Sequence, residues 1–97
     1  MAWVVELLKS AADALDKLDA TTQQRIWRFL RGKLSATDNP RQTGKALTGP
    51  YSGLWRYRVG DYRIVCRIED ARLVVLVVKI GHRRHVYQGN PHNEPTT

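Results

Sequence analysis

Near its C-terminal end the chain reads Gly81-His82-Arg83-Arg84-His85-Val86-Tyr87. Two imidazoles, two guanidiniums and a phenol stand in one short stretch. Such a set could ligate a metal, hold a polyanion, or move protons at a phosphate. His82 and His85, with His92 beyond, are of the type that binds zinc. No cysteine or carboxylate lies near that pair in sequence, however, and the adjacent arginines repel a cation. The chain is therefore read as using no metal or other cofactor. Anion binding and proton transfer remain. Arginine's planar fork suits a phosphate, and an imidazole, with its reference pKa of about 6.5, suits proton transfer.

A second basic cluster lies upstream. "LWRYRV" sets Trp55, Tyr57 and Val59 against Leu54, Arg56 and Arg58, and "YRIVCRIE" sets Tyr62, Ile64, Cys66 and Ile68 against Arg63, Val65, Arg67 and Glu69. A period of two marks strands. Only Gly60 and Asp61 separate them, and glycine at the first loop position suits a two-residue type II′ hairpin. That loop pairs Val59 with Tyr62, Arg58 with Arg63, Tyr57 with Ile64, and Arg56 with Val65. Arg56, Arg58, Arg63 and Arg67 then share one face, with Glu69 as an acid only at its far end. Like charges directly across a strand pair cost up to about 1 kcal/mol. A cluster kept without counter-ions points to an anionic ligand. Cys66 and Trp55 fall on the opposite face and are read as core packing.

These residues need a frame. "WVVELL" is β-prone and predicts a leading strand. Ser10 with Asp13 has capping-box spacing, and Ala11, Ala14, Leu15 and Leu18 follow at helical spacing, so a first helix is expected to run to about Leu18. Thr21 with Gln24 marks a second start. Ile26, Phe29, Leu30 and Leu34 form its apolar stripe, with Arg25, Arg28 and Lys33 opposite. "SATDNPRQTGKALTGPYSG" is turn chemistry and is read as a long loop. After the hairpin, "RLVVLVVKI" is apolar on both faces and reads as a central strand. The order is β-α-α-β-β-β. This is an α+β fold, a two-helix hairpin packed on a mostly antiparallel four-stranded sheet. Residues 1–88 are expected to be one domain, and the polar tail 89–97 is expected to be disordered.

The chain has 97 residues and a net charge of +7. In the first twenty, Lys9 and Lys17 stand against Glu6, Asp13, Asp16 and Asp19, so the remaining 77 carry the whole basic excess. Eleven of the sixteen basic residues are arginine. A polyanionic partner is implied, nucleic acid first. The longest apolar run, Leu73 to Val78, falls far short of the ~20 residues that span a bilayer. Glu6 comes early with no basic region before an apolar core, so no secretory signal is expected. One cysteine, Cys66, allows no internal disulfide, which fits a cytoplasmic location.

Taken in order, "LTGPYSGLWRYRVGDYRIVCRIED" and "LVVLVVKIGHRRHVY" resemble the RelE/ParE superfamily of toxins from bacterial and archaeal toxin–antitoxin pairs. The likeness rests on the loop Lys45-x-Leu47-x-Gly49, the hairpin from Gly53 to Arg63, and the ending from Gly81 to Tyr87. It implies the RelE-like microbial RNase fold and a type II toxin. RelE-like members are ribosome-dependent endoribonucleases that cut messenger in the A site. ParE-like members poison DNA gyrase and generally lack the catalytic set, and they are the alternative reading.

The resemblance places the family's catalytic tyrosine at Tyr87 and its arginines at Arg83 and Arg63. Its two strand cations fall at Arg56 and Arg58, where some members have lysines. Lys45, Arg67, Arg84, Arg25 and Arg28 are then candidate contacts to RNA or ribosome. A RelB-like antitoxin that masks the toxin, and operator DNA bound through that antitoxin, are the further implied partners. No membrane is involved.

The implied chemistry is attack by the RNA's own 2′-OH on the adjacent phosphate. It needs a base, cations for the transition state, and an acid for the departing 5′-oxygen. Tyr87 is the candidate base or a positioner of the 2′-OH. Arginine scarcely gives up a proton, so the acid is Arg83, His85 or His82. On an extended segment, His85 would share a side with Arg83 and Tyr87.

Overall fold

The computed structural model describes residues 3–87. The expected disordered tail 89–97 lies outside the described residues. Strand β1 (Val4–Leu7) leads into helices α1 (Lys9–Asp16) and α2 (Ala20–Arg28). A π-helical segment (Phe29–Leu34) continues α2. Strands β2 (Lys45–Ala46), β3 (Trp55–Val59), β4 (Tyr62–Glu69) and β5 (Val74–His82) complete one sheet in the order β1-β5-β4-β3-β2. All pairs are antiparallel except β1 with β5. None of the described helices is long and apolar enough to cross a membrane.

The sheet has five strands where four were expected. The extra strand, β2, is only two residues inside the long loop, paired with Trp55 and Arg56. Too short to show a period of two, it forms because the loop is fastened to β3. Trp55 Nε1 donates to the Thr43 carbonyl at 2.7 Å, and the buried Tyr57 hydroxyl donates to the Pro40 carbonyl. β5 lies inside the sheet, as its two apolar faces require, but β4 is the middle strand.

Both expected capping boxes are absent. The first helix begins after Leu8, which offers no side-chain cap, and ends at Asp16 rather than near Leu18. Asp13 pairs instead with Lys9 at 2.8 Å, one turn back. The second helix is capped by Asp19, whose carboxylate accepts from Thr22 N and from the Thr22 hydroxyl. That places a negative charge at the helix N-terminus.

The helices bury Ala11, Leu15, Ile26, Leu30 and Leu34 against Tyr57, Ile64, Cys66, Val75 and Val77. Ile26, Leu30 and Leu34 are spaced by four. In an α-helix each such step overshoots a turn by about 40°. The wider π winding from Phe29 takes back that overshoot, so Leu34 stays over the sheet. A smaller second core of Leu54, Val65, Val78 and Val86 lies on the other face. Cys66 is fully buried, and burial pushes its thiol up, consistent with packing.

Candidate active site

The hairpin has the expected register throughout: Val59 opposite Tyr62, Arg58 opposite Arg63, Tyr57 opposite Ile64, Arg56 opposite Val65. Gly60 has φ +59° and Asp61 does not have positive φ, as a type II′ turn requires. Tyr57, Ile64 and Cys66 therefore face the helices, while Arg56, Arg58 and Arg63 face away from them. Arg67 follows by alternation, and Lys45, paired with Arg56, extends the same face to the sheet edge.

Across β4, Arg63 stands opposite Gly81 of β5. The missing side chain matters here. A Cβ on Gly81 would lie 3.2 Å from Val86 Cα, so the chain after β5 can fold back closely over the strand. Val86 is 1% exposed and plugs the second core.

This corrects the extended reading of residues 83–87. They form a turn: His85 N and Val86 N both donate to the His82 carbonyl, at 2.8 and 2.9 Å. Alternation therefore does not govern the stretch. His82 pairs with Tyr62 in the register and stands edge-on to its ring, on the helix face. His85 lies 6.2 Å from His82, centroid to centroid, and the two border a cavity with Ser10, Asp13 and Lys17 of the first helix region. The imidazoles are thus turned to the side opposite the arginine face.

Arg83 goes the other way. Its backbone N–H donates to the Asp61 carbonyl at 2.8 Å, and its Nε lies 3.9 Å from the Asp61 carboxylate. Tyr87 is held by Tyr51, whose hydroxyl donates to the Tyr87 carbonyl and whose ring meets it edge-on at 5.2 Å. Arg63 is where these groups meet. Partial burial, then Arg58 and Arg56, hold its guanidinium below the usual arginine range; Tyr87 opposes that shift, and Arg83 adds to it. Arg56, Arg58, Arg63, Arg83 and Tyr87 are therefore electrostatic neighbours on one side of the sheet. Arg56 Nε is buried with no hydrogen-bond partner among the described residues, an orphaned donor on that side.

The other predicted contacts scatter. Arg84 is exposed in the turn, its backbone N–H donating to His82 Nδ1 at 3.2 Å. Arg28 is exposed on α2. Arg25 reaches over the hairpin turn, its guanidinium 3.1 Å from where a Gly60 Cβ would be. Two residues were missed. Tyr51 carried no signal beyond its place in a turn-rich loop. Lys79 faces the arginine side opposite Val65 because the register shifts between Val65 and Cys66. That bulge breaks the alternation by which the sequence would have placed it.

A family model described as the ParE toxin of the type II toxin–antitoxin system parDE matches residues 5–87. The chain is 30% identical to toxin RelG of Mycobacterium tuberculosis over 88 residues, covering 91% of this chain and 99% of that protein. It is 33% identical to toxin RelE of the same organism over 87 residues, covering 90% and 88%. Among solved structures it is similar to the RelBE2 toxin–antitoxin complex of Mycobacterium tuberculosis, with TM-score 0.77 and 29% identity over 86% of this chain and 93% of that one. It is also similar to the RelE–RelB complex of Pyrococcus horikoshii, with TM-score 0.67 and 26% identity over 89% and 100%. Sequence, family pattern and fold agree across nearly the whole chain, which belongs to the RelE/ParE family of type II toxin–antitoxin toxins.

Proposed function

We propose that this toxin is a metal-independent endoribonuclease that cleaves messenger in the ribosomal A site and so stops translation. The observation that carries the reading is the strand register, which sets Arg56, Arg58 and Arg63 on one face and puts Gly81, with the turn that holds Arg83 and Tyr87, beside Arg63. Four guanidiniums with one phenol match what cleavage by a 2′-OH needs. The hydroxyl's proton passes to Tyr87, or Tyr87 orients it. A bond forms from O2′ to phosphorus, and the bond from phosphorus to O5′ breaks. The products are a 2′,3′-cyclic phosphate and a 5′-hydroxyl. Arg56, Arg58 and Arg63 hold the phosphate and stabilise the charge it gathers. A phosphate there would also relieve the repulsion that depresses Arg63.

The imidazoles face the first helix, so the leaving oxygen is served from Arg83's side. Arginine is a poor acid, so Arg83 stabilises the charge on the departing O5′, which takes its proton from water. A RelB-like antitoxin is the proposed partner, since the similar toxins named above were solved in complex with RelB. Operator DNA would be reached through that antitoxin.

The test is induction of the toxin followed by mapping of messenger 5′ ends, beside a gyrase supercoiling assay. Codon-phased cuts that vanish in Tyr87→Phe and Arg83→Ala support the reading. Loss of supercoiling without cuts would support the ParE-type alternative, the type for which the matching family model is described.

A further inference from the structure

A cleft of roughly 340 Å³ opens beside the arginine face at the edge of the sheet. Phe29 and Lys33 border it from the π-helical segment, Gly44 and Lys45 from the loop and β2, and Arg56 and Arg58 from β3. Among the described residues no carboxylate lines it. It exists because β2 is so short. β2 covers β3 only at Trp55 and Arg56 and leaves Tyr57–Val59 without a strand on that side. In a two-residue hairpin Val59 and Tyr62 form the hydrogen-bonded closing pair. Arg58 is then in a non-hydrogen-bonded position towards β4, and its main-chain N–H and C=O point into the open edge.

Gly44 keeps the rim thin. It has φ +83°, and a Cβ there would lie 2.5 Å from the Arg56 carbonyl. The orphaned Arg56 Nε belongs to a residue lining this cleft.

Four cations, the Phe29 ring packed beside that of Tyr57, and a main-chain edge with no strand on it are the parts with which proteins hold a single-stranded nucleotide. The cations take the phosphate, the ring stacks a base, and the edge bonds the base's polar rim. Arg56 and Arg58 also belong to the catalytic face, so an occupant here is continuous with the RNA there. We propose that this cleft is a second nucleotide subsite, taking the nucleotide next to the one whose phosphate is attacked, with Lys33 as its own phosphate ligand. The proposal rests on the RNA-cleaving reading above.

The test is fluorescence anisotropy with fully 2′-O-methylated RNA, which cannot be cut. A dinucleotide spans the scissile phosphate alone, and trinucleotides extend it at the 5′ or the 3′ end. For the wild-type toxin, one of the two trinucleotides should bind at least about fivefold tighter than the dinucleotide. Lys33→Ala should lose that gain while leaving the dinucleotide unchanged, and Lys33→Arg should keep it. In Lys33→Ala the trinucleotide's slope of log affinity on log salt should fall by about 0.7. Equal binding of all three RNAs by the wild type, or a gain that survives in Lys33→Ala, would overturn the subsite. Binding of none of them overturns the subsite, while the RNA reading itself falls only if induced toxin leaves messenger uncut.

Discussion

The β3–β4 hairpin and the turn after β5 supply groups to the same face by different means. The hairpin sets Arg56, Arg58 and Arg63 through local pairing alone: a two-residue loop and a period of two leave one register. The turn sets Arg83 and Tyr87 through distant contacts. Val86 is buried beneath it, Gly81 makes room for it, Asp61 ties down Arg83, and Tyr51 ties down Tyr87. Groups on the hairpin should therefore be easy to remove and hard to misplace. Groups on the turn should be easy to misplace without touching them.

The largest effect is expected for Arg63→Ala. Loss of the central cation should cut messenger cleavage by about 10²–10³-fold. The fold should change little: the Gly60 and Tyr62 carbonyls lose long bonds from Arg63, but Arg58 loses a like charge directly across from it. Screened at a partly exposed site, that is worth a few tenths of a kcal/mol in the stabilising direction. Urea denaturation beside a cleavage assay reads both. A fall in stability as large as the fall in activity would mean that Arg63 is mainly structural.

Gly81→Ala comes next and tests the turn. A methyl 3.2 Å from Val86 Cα must push the turn outward. Overpacking of this kind costs about 1–3 kcal/mol, and the turn must give by a few tenths of an ångström, a fraction of the ~1 Å misplacement that can cost 10²-fold in rate. Activity and melting temperature should both drop, although no catalytic group has changed. Unaltered cleavage would show that the turn does not need Val86 seated there.

Tyr51→Phe keeps the ring against Tyr87 and removes the hydrogen bond donated to the Tyr87 carbonyl. About 0.5–1.5 kcal/mol is at stake, so cleavage should fall several-fold, seen in single-turnover rates. The smallest effect is expected for His85→Ala. Its imidazole is on the helix side, so cleavage should stay within about twofold, the scale of an ordinary surface change. A loss of tenfold or more in that variant would return His85 to the site as the proton donor.

The same contrast explains what was legible. The hairpin register, the helix-facing position of Cys66 and the arginine face could be read directly, because strand alternation and a glycine turn are local. The helix caps could not: Asp19 outcompeted Thr21, a choice of one position that several residues satisfy on paper. β2 was hidden because two residues have no period, and Lys79 because a bulge shifts the count. In "GHRRHVY" the residue types were informative but their directions were not. An extended segment and a turn are equally compatible with that string. The contact that chooses between them, Val86 with Leu54, Val65 and Val78, spans the sheet.

The central claim is that the arginine face directs an RNA 2′-OH at its neighbouring phosphate. Ribosome-bound messenger carrying a single 2′-deoxy substitution at the cleaved position tests it most directly. The unmodified messenger should be cut to a 2′,3′-cyclic phosphate and a 5′-hydroxyl, and the deoxy messenger should not be cut there. Cleavage of the deoxy messenger at the same position, or a 5′-phosphate on the product, would contradict it.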